Sequence, residues 1–253
     1  MKNLILFVVL LLGTYATVAQ KRVVNNLTTF DDKRLHFGFS LALNTFDLGI
    51  ENYPTIGNSP WKGNETLDPN NIDSTSVVRA DLAHLVPGFS VAIISSLRLG
   101  RYFNLRFLPG ISFGERRLVY NVTIHDINSQ NYYDGDEYFS IKSTYLDFPL
   151  LIKYKSVRIN NQRPYLIAGG SYRVDISKTG NADLVRLKRG SFYAEFGVGW
   201  DSYLQFFRFS TELKVSLGLN NIIDTPGEGQ LQYYGYSFKN LTSDIFTLSF
   251  HFE

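Results

Sequence analysis

The sequence predicts an all-β fold: a transmembrane antiparallel up-and-down β-barrel of eight strands. Three observations point there. Apolar residues recur with period two through most of the chain, the connections alternate long and short, and a leader-like segment precedes the first strand.

The leader comes first. Lys2 precedes an apolar run from Leu4 to Leu12, and small residues follow at Thr17 and Ala19. This is the pattern of a signal peptide over 1–19, cut between Ala19 and Gln20. The run is too short to span a bilayer, which takes roughly 20 apolar residues. Residues 20–34 are polar and show no period, so they read as a periplasmic arm. The arm has no evident part in closing the barrel and is expected to be available for docking. The barrel then occupies 35–253.

The strands follow in order. Leu35, Phe37, Phe39, Leu41 and Leu43 share one face, against His36, Gly38, Ser40, Ala42 and Asn44. Phe89, Val91, Ile93, Leu97 and Leu99 make the second apolar face, and Leu105, Phe107, Ile111 and Phe113 the third. The fourth sets Leu146, Phe148, Leu150, Ile152 and Tyr154 against Tyr145, Asp147, Leu151 and Lys153. Pro164–Ile176, Phe192–Trp200, Phe207–Leu217 and Phe246–Phe252 repeat the scheme. Each has about the 9–11 residues that a tilted membrane strand needs.

A soluble sandwich would show the same alternation, so connection length has to discriminate. Long links are expected at Glu51–Pro87, Asn121–Ser140, Ser177–Gly190 and Asn220–Asn240. Short ones are expected at Gly100–Tyr102, Lys155–Arg163 and Ser202–Phe206. Outer-membrane barrels alternate in this way, with long loops outside and tight turns in the periplasm. The termini then both lie in the periplasm, and the outer membrane is the expected location.

Composition sets outer limits. Among 253 residues, 25 Lys+Arg against 23 Asp+Glu leave a net charge of +2, which excludes a strongly basic nucleic-acid binder. Cysteine is absent, so no disulfide, thiolate metal site or lipid-anchoring cysteine is available. The mean hydropathy of −0.09 fits a barrel whose alternation averages its hydrophobicity away.

The opposite faces of the strands carry charges of both signs: Arg106, Asp147, Lys153, Arg173, Asp175, Glu195, Asp201, Arg208, Glu212 and Lys214. Eight strands leave a lumen that side chains just fill. These charges are therefore expected to pair across it as a plug, because an unpaired buried charge is costly. Other motifs carry less. Gly110-Ile111-Ser112-Phe113-Gly114 matches the nucleophile-elbow spacing but sits inside a strand with no helix after it. His36, His84, His125 and His251 lack metal-site spacing, although His36 and His251 lie near the ends of the first and last strands. Asp134, Asp136 and Glu137 read as a solvated acidic tip, and Asp73-Ser74-Thr75 resembles a short O-glycosylation motif. No enzyme activity, cofactor or metal is expected.

Two stretches resemble known families. Asp31-Asp32-Lys33-Arg34-Leu35-His36-Phe37-Gly38-Phe39-Ser40, continuing to Asn44-Thr45-Phe46-Asp47, is similar to the opening of the PorT family of Bacteroidota outer-membrane proteins. Tyr145-Leu146-Asp147-Phe148-Pro149-Leu150-Leu151-Ile152-Lys153-Tyr154 resembles the fourth strand of the wider group of small Bacteroidota barrels. The first resemblance implies a component required for type IX secretion, and for gliding motility where present. It implies other secretion components and outer-membrane lipid as partners, and it supplies no catalytic residues. A small barrel serving as a ligand or ion conduit is the competing reading.

Overall fold

The computed structural model of the chain describes residues 24–60, 75–125, 132–177, 185, 187–224, 234–235 and 237–253. The leader with its Ala19–Gln20 junction, and Asp73 and Ser74 of the glycosylation-like motif, lie outside the described residues.

Among the described residues ten strands form one antiparallel sheet. They are β1 (Leu35–Asn52), β2 (Val77–Leu85), β3 (Pro87–Arg98), β4 (Phe103–Phe107), β5 (Gly110–His125), β6 (Tyr132–Lys155), β7 (Gln162–Asp175), β8 (Gly190–Tyr203), β9 (Arg208–Gly218) and β10 (Phe238–Phe252). Two pairs of them are interrupted single strands. Only Val86 separates β2 from β3, and Leu108 and Pro109 separate β4 from β5. Proline has no N–H to give the ladder, yet the Leu108 N–H still donates to the Pro149 carbonyl and the Ile93 N–H to that of Pro109. The wall therefore has eight staves. It closes on itself where β1 pairs with β10, from Phe39↔Phe252 to Asn52↔Phe238, and with β3, from Leu35↔Leu97 to Thr45↔Pro87.

Polarity is inverted over most of the wall. Leu35, Phe37, Phe39, Leu41 and Leu43 are exposed on β1, while His36, Ser40, Ala42 and Asn44 are buried. Further along the same strand the pattern flips: Phe46 and Leu48 turn inward into the core. On β5, Ile111 and Phe113 face out, but Leu118, Tyr120 and Val122 face in. The exposed apolar belt is what a bilayer requires. Above it the barrel continues with a water-soluble protein's polarity. There Leu48, Ile56, Val78, Leu118, Tyr120, Val122, Ile222, Tyr234, Phe238 and Leu241 form a buried apolar cluster.

That extension corrects two expected loops. Asn121–Ser140 is largely strand, since the β5–β6 ladder runs unbroken from Gly110↔Asp147 to His125↔Tyr132. Glu51–Pro87 contains β2, which pairs with β5. Val119, Val122, Thr123, Ile124, Tyr132 and Tyr133 supply the β-branched and aromatic content that favours strand over loop. The acidic tip is likewise strand: Asp134 and Asp136 stand opposite Thr123 and Asn121, and the Asn121 amide donates to Asp136 at 3.1 Å.

Beyond Thr45 no ladder joins β1 to β2 among the described residues. Side chains serve the two facing edges instead. The Asn52 amide donates to the Ala80 carbonyl at 2.9 Å and accepts from its N–H at 3.3 Å. The Asp47 and Asp81 carboxylates accept from the N–H groups of Leu48 and Leu82 at 2.8 and 2.7 Å. Charged and amide side chains in such places keep a strand edge from recruiting another chain.

The short links Leu99–Tyr102, Ser156–Asn161 and Leu204–Phe207 cluster at one end, with Arg34 and Glu253. The tightest turn pairs Ile159 with Gln162 and places Asn160 at φ 54, a left-handed conformation that asparagine tolerates better than most residues.

Candidate functional site: the charged lumen and its mouth

The belt of the barrel encloses a network of ions. Inward-facing parity turns Arg106, Lys153, Arg173, Glu195, Asp201, Arg208 and Glu212 into the lumen, and the closed ring brings residues of distant strands together. Lys153 on β6 reaches across β7 to Asp201 on β8, with its ammonium 2.7 and 2.8 Å from the two carboxylate oxygens. It also lies over the Tyr165 ring, 3.5 Å from the centroid. Arg106 on β4 spans the lumen to Glu212 on β9 at 3.2 Å and to Glu253 at 2.8 Å. Arg173 pairs with Glu195 at 2.7 Å and lies 3.4 Å from Asp147, while Lys214 pairs with Glu195 at 2.8 Å. Arg208 binds Glu253.

Hydroxyls join the shells. Ser210 donates to Asp201 at 2.6 Å, Ser171 and Ser216 donate to Glu195 at 2.8 and 3.0 Å, and Tyr165 donates to Glu212 at 2.9 Å. Ser112, at the centre of the elbow-like motif, donates to Asp147 within the ladder. Glycine keeps this interior passable for rings, because a Cβ on Gly199 would come within 2.2 Å of Tyr165.

Nine of the ten charges named from the sequence meet in this network. Asp175 does not. It sits at the end of β7 and accepts from the backbone and hydroxyl of Ser177, a local turn contact. Three members escaped sequence reasoning. Glu253 follows the last strand, His251 stands near that strand's end without metal-site spacing, and Tyr165 carries no formal charge. His251 is buried, with Nε2 3.3 Å from Glu212, whereas His36 stacks on Phe30 at 4.3 Å, so the two histidines have different neighbours. A parity count carried through to the chain's last residue would have found Glu253 and His251.

Arg116 is a separate case. It is buried, has no carboxylate partner among the described residues, donates to Ser143, Tyr145 and Ser243, and stacks over Phe46 and Tyr145. It marks the level at which the lumen changes from ionic to apolar.

A cavity of about 40 Å³ lies within the network, bordered by Ser40, Ser112, Asp147, Lys214 and His251. That is room for a few waters at most. A much larger depression, about 1210 Å³, lies on the outer wall among Leu43, Ile152, Leu166, Phe196, Leu213 and Leu248, and belongs to the lipid-facing belt. Among the described residues no group of three or more His, Asp or Glu side chains is placed to hold a metal. Of His84 and His125 only the strand backbone is described.

The short-turn mouth is covered by the arm, so the segment expected to be available for docking is engaged by the barrel itself. Residues 24–34 fold back over the opening. Asn161 accepts from the N–H groups of Asn25 and Asn26 at 3.3 and 3.1 Å, and Arg158 donates to the carbonyls of Asn26 and Leu27. Phe30, in a single 3-10 turn (Phe30–Asp32), enters the mouth between His36 and Tyr203 and beneath the Arg208 guanidinium. Asp31 pairs with Arg163 at 3.0 Å and accepts from the Tyr203 hydroxyl at 3.0 Å. Cations and aromatic rings facing inward at the strand ends made this cover attractive, and no periodic signal in 20–34 announced it.

Comparison with known proteins adds a family. A family model described as "Outer membrane protein beta-barrel domain" matches residues 18–224. No curated protein matches. Two similar solved structures come from Pseudomonas aeruginosa. The outer membrane protein OprG is 11% identical at a TM-score of 0.36, with 85% of this chain and 93% of that one covered. A FadL homologue is 13% identical at a TM-score of 0.21, with 87% of this chain and 64% of that one covered.

Proposed function

We propose, on the premise that this chain belongs to the outer membrane protein beta-barrel domain family, that it is a non-enzymatic component of the type IX secretion machinery. It acts through protein partners rather than by passing solutes. Among the described residues no helix is long and apolar enough to cross a membrane; strands make the crossing. The observation that carries the reading is the filled lumen. Arg106, Lys153, Glu195, Asp201, Arg208 and Glu212 are almost wholly buried in ion pairs, and the cavity between Asp147, Arg173, Glu212 and Lys214 has only about 40 Å³. A conduit needs a path, and here ion pairs occupy it. The similarity of Asp31–Ser40 to the PorT opening supports the secretion assignment.

In this reading the short-turn end with both termini faces the periplasm, and the β5–β6 extension stands outside the cell. Deleting the gene and comparing secretomes tests the assignment. Cargo bearing the C-terminal secretion signal should disappear from the medium and return on complementation. An unchanged secretome rejects type IX secretion and leaves only the barrel.

A further inference from the structure

We propose that the short-turn mouth is a docking site for an acidic peptide segment carrying an aromatic residue, and that the chain's own arm occupies it as an intramolecular ligand. The inference deepens the functional reading above by giving the partner a chemistry, and its binding test does not depend on that reading.

The socket is cationic. Arg98, Lys155, Arg158 and Arg163 ring the mouth, with Arg208 beneath them already held by Glu253. Among the described residues, the ion pairs reaching this ring come from the arm: Asp31 to Arg163 at 3.0 Å and Asp32 to Arg98 at 3.9 Å. The barrel gives these guanidinium groups carbonyls and hydroxyls instead. Arg163 donates to Ser156 and Arg101 carbonyls and to Tyr203, and Arg158 to the Asn160 carbonyl and the Asn161 amide oxygen. A ring of cations in a recessed site attracts and orients anionic segments.

The arm shows what the socket recognises. One aromatic ring stacks on His36, an adjacent carboxylate meets Arg163 and Tyr203, and backbone carbonyls meet Arg158 and Arg98. It is nevertheless an incomplete ligand. It brings two acids to four cations and carries Lys33 and Arg34 itself. The Asp32 side chain stays 78% exposed. Its one turn of 3-10 helix has no side-chain cap, and Leu27 sits at φ 46, where leucine is rarely found. The mouth holds this segment in a shape that its own propensity does not favour. A segment with the same ring and more acids matches the socket better and displaces the arm.

The test uses the purified barrel lacking residues 24–33, with a labelled synthetic peptide of Val24–Arg34 as the probe. Fluorescence anisotropy should show saturable binding that Arg163→Glu in the barrel abolishes. The peptide carrying Lys33→Glu and Arg34→Glu should bind about tenfold tighter at low ionic strength. No binding by either peptide, or equal affinity for a Phe30→Ala peptide, overturns the proposal. Should the truncated barrel not fold, the full chain with Phe30→Ala and Asp31→Asn releases the arm in place and takes the same probes. In cells, Asp31→Arg with Arg163→Glu restores the internal pair in reverse. Export that stays impaired although this double variant is as heat-stable as wild type supports docking. Export restored to wild type reduces the mouth to a plug and rejects it. A normal secretome on gene deletion fails the type IX reading instead, and the peptide titration stands apart from it.

Discussion

Lys153 and Asp201 show how a charge survives inside a membrane barrel. Each is fully buried, and each is satisfied by the other together with Ser210 and the Tyr165 ring. Taking both ions out of water costs as much as their attraction returns, so the pair contributes little net stability compared with an apolar pair. Removing one partner is different, because it strands a buried charge. Asp201→Ala is expected to destabilise the barrel by ~3–5 kcal/mol, while Lys153→Met with Asp201→Leu stays near wild type. Urea unfolding in detergent, followed by the heat-modifiable gel shift, separates the two outcomes. Equal losses in both variants would place the pair outside a desolvated interior. The same logic explains why the lumen charges were legible in the sequence. Asp147, Lys153, Glu195 and Glu212 all fall on the face opposite a run of bulky apolar residues, and one parity rule assigns them. Asp175 obeys that rule and still leaves the network, because at the strand end Ser177 offers a nearer partner.

The strands were legible in their membrane halves and much less so beyond them. In β1 the apolar residues sit at odd positions through Leu43 and at even positions from Phe46. The same flip occurs in β5 between Phe113 and Leu118. A change of environment from lipid to water reverses which face must be apolar, so the period-two signal slips phase at the interface and reads as a strand end. The upper parts of β5 and β6, and all of β2, were lost to that slip. The arm was illegible for another reason, since Arg158, Asn161, Arg163 and Tyr203, which hold most of it, lie more than a hundred positions away. The flip makes a prediction at this scale. Val122→Asp buries an unpaired carboxylate in the apolar cluster and should destabilise the extension, whereas Asn121→Ser on the solvent face gives up one exposed amide hydrogen bond and should change little. Native-state proteolysis of the β5–β6 hairpin measures both. Equal protease resistance in the two variants would contradict the inward placement of Val122.

At the scale of the whole molecule, eight staves close a ring whose core is ionic at membrane level, apolar above, and capped by the arm below. The absence of cysteine makes the orientation easy to probe. Tyr138→Cys, on the exposed face of the extension, should react with an impermeant maleimide on intact cells. Ile159→Cys in the tightest turn should react only after lysis. The reverse labelling would invert the barrel. The central claim is that this barrel is closed by its own side chains and so serves protein partners instead of solutes. Planar-bilayer recording of the purified wild-type protein tests it most directly. The account predicts a silent membrane with no unitary steps, and stable ohmic steps of porin size from the intact protein would contradict it.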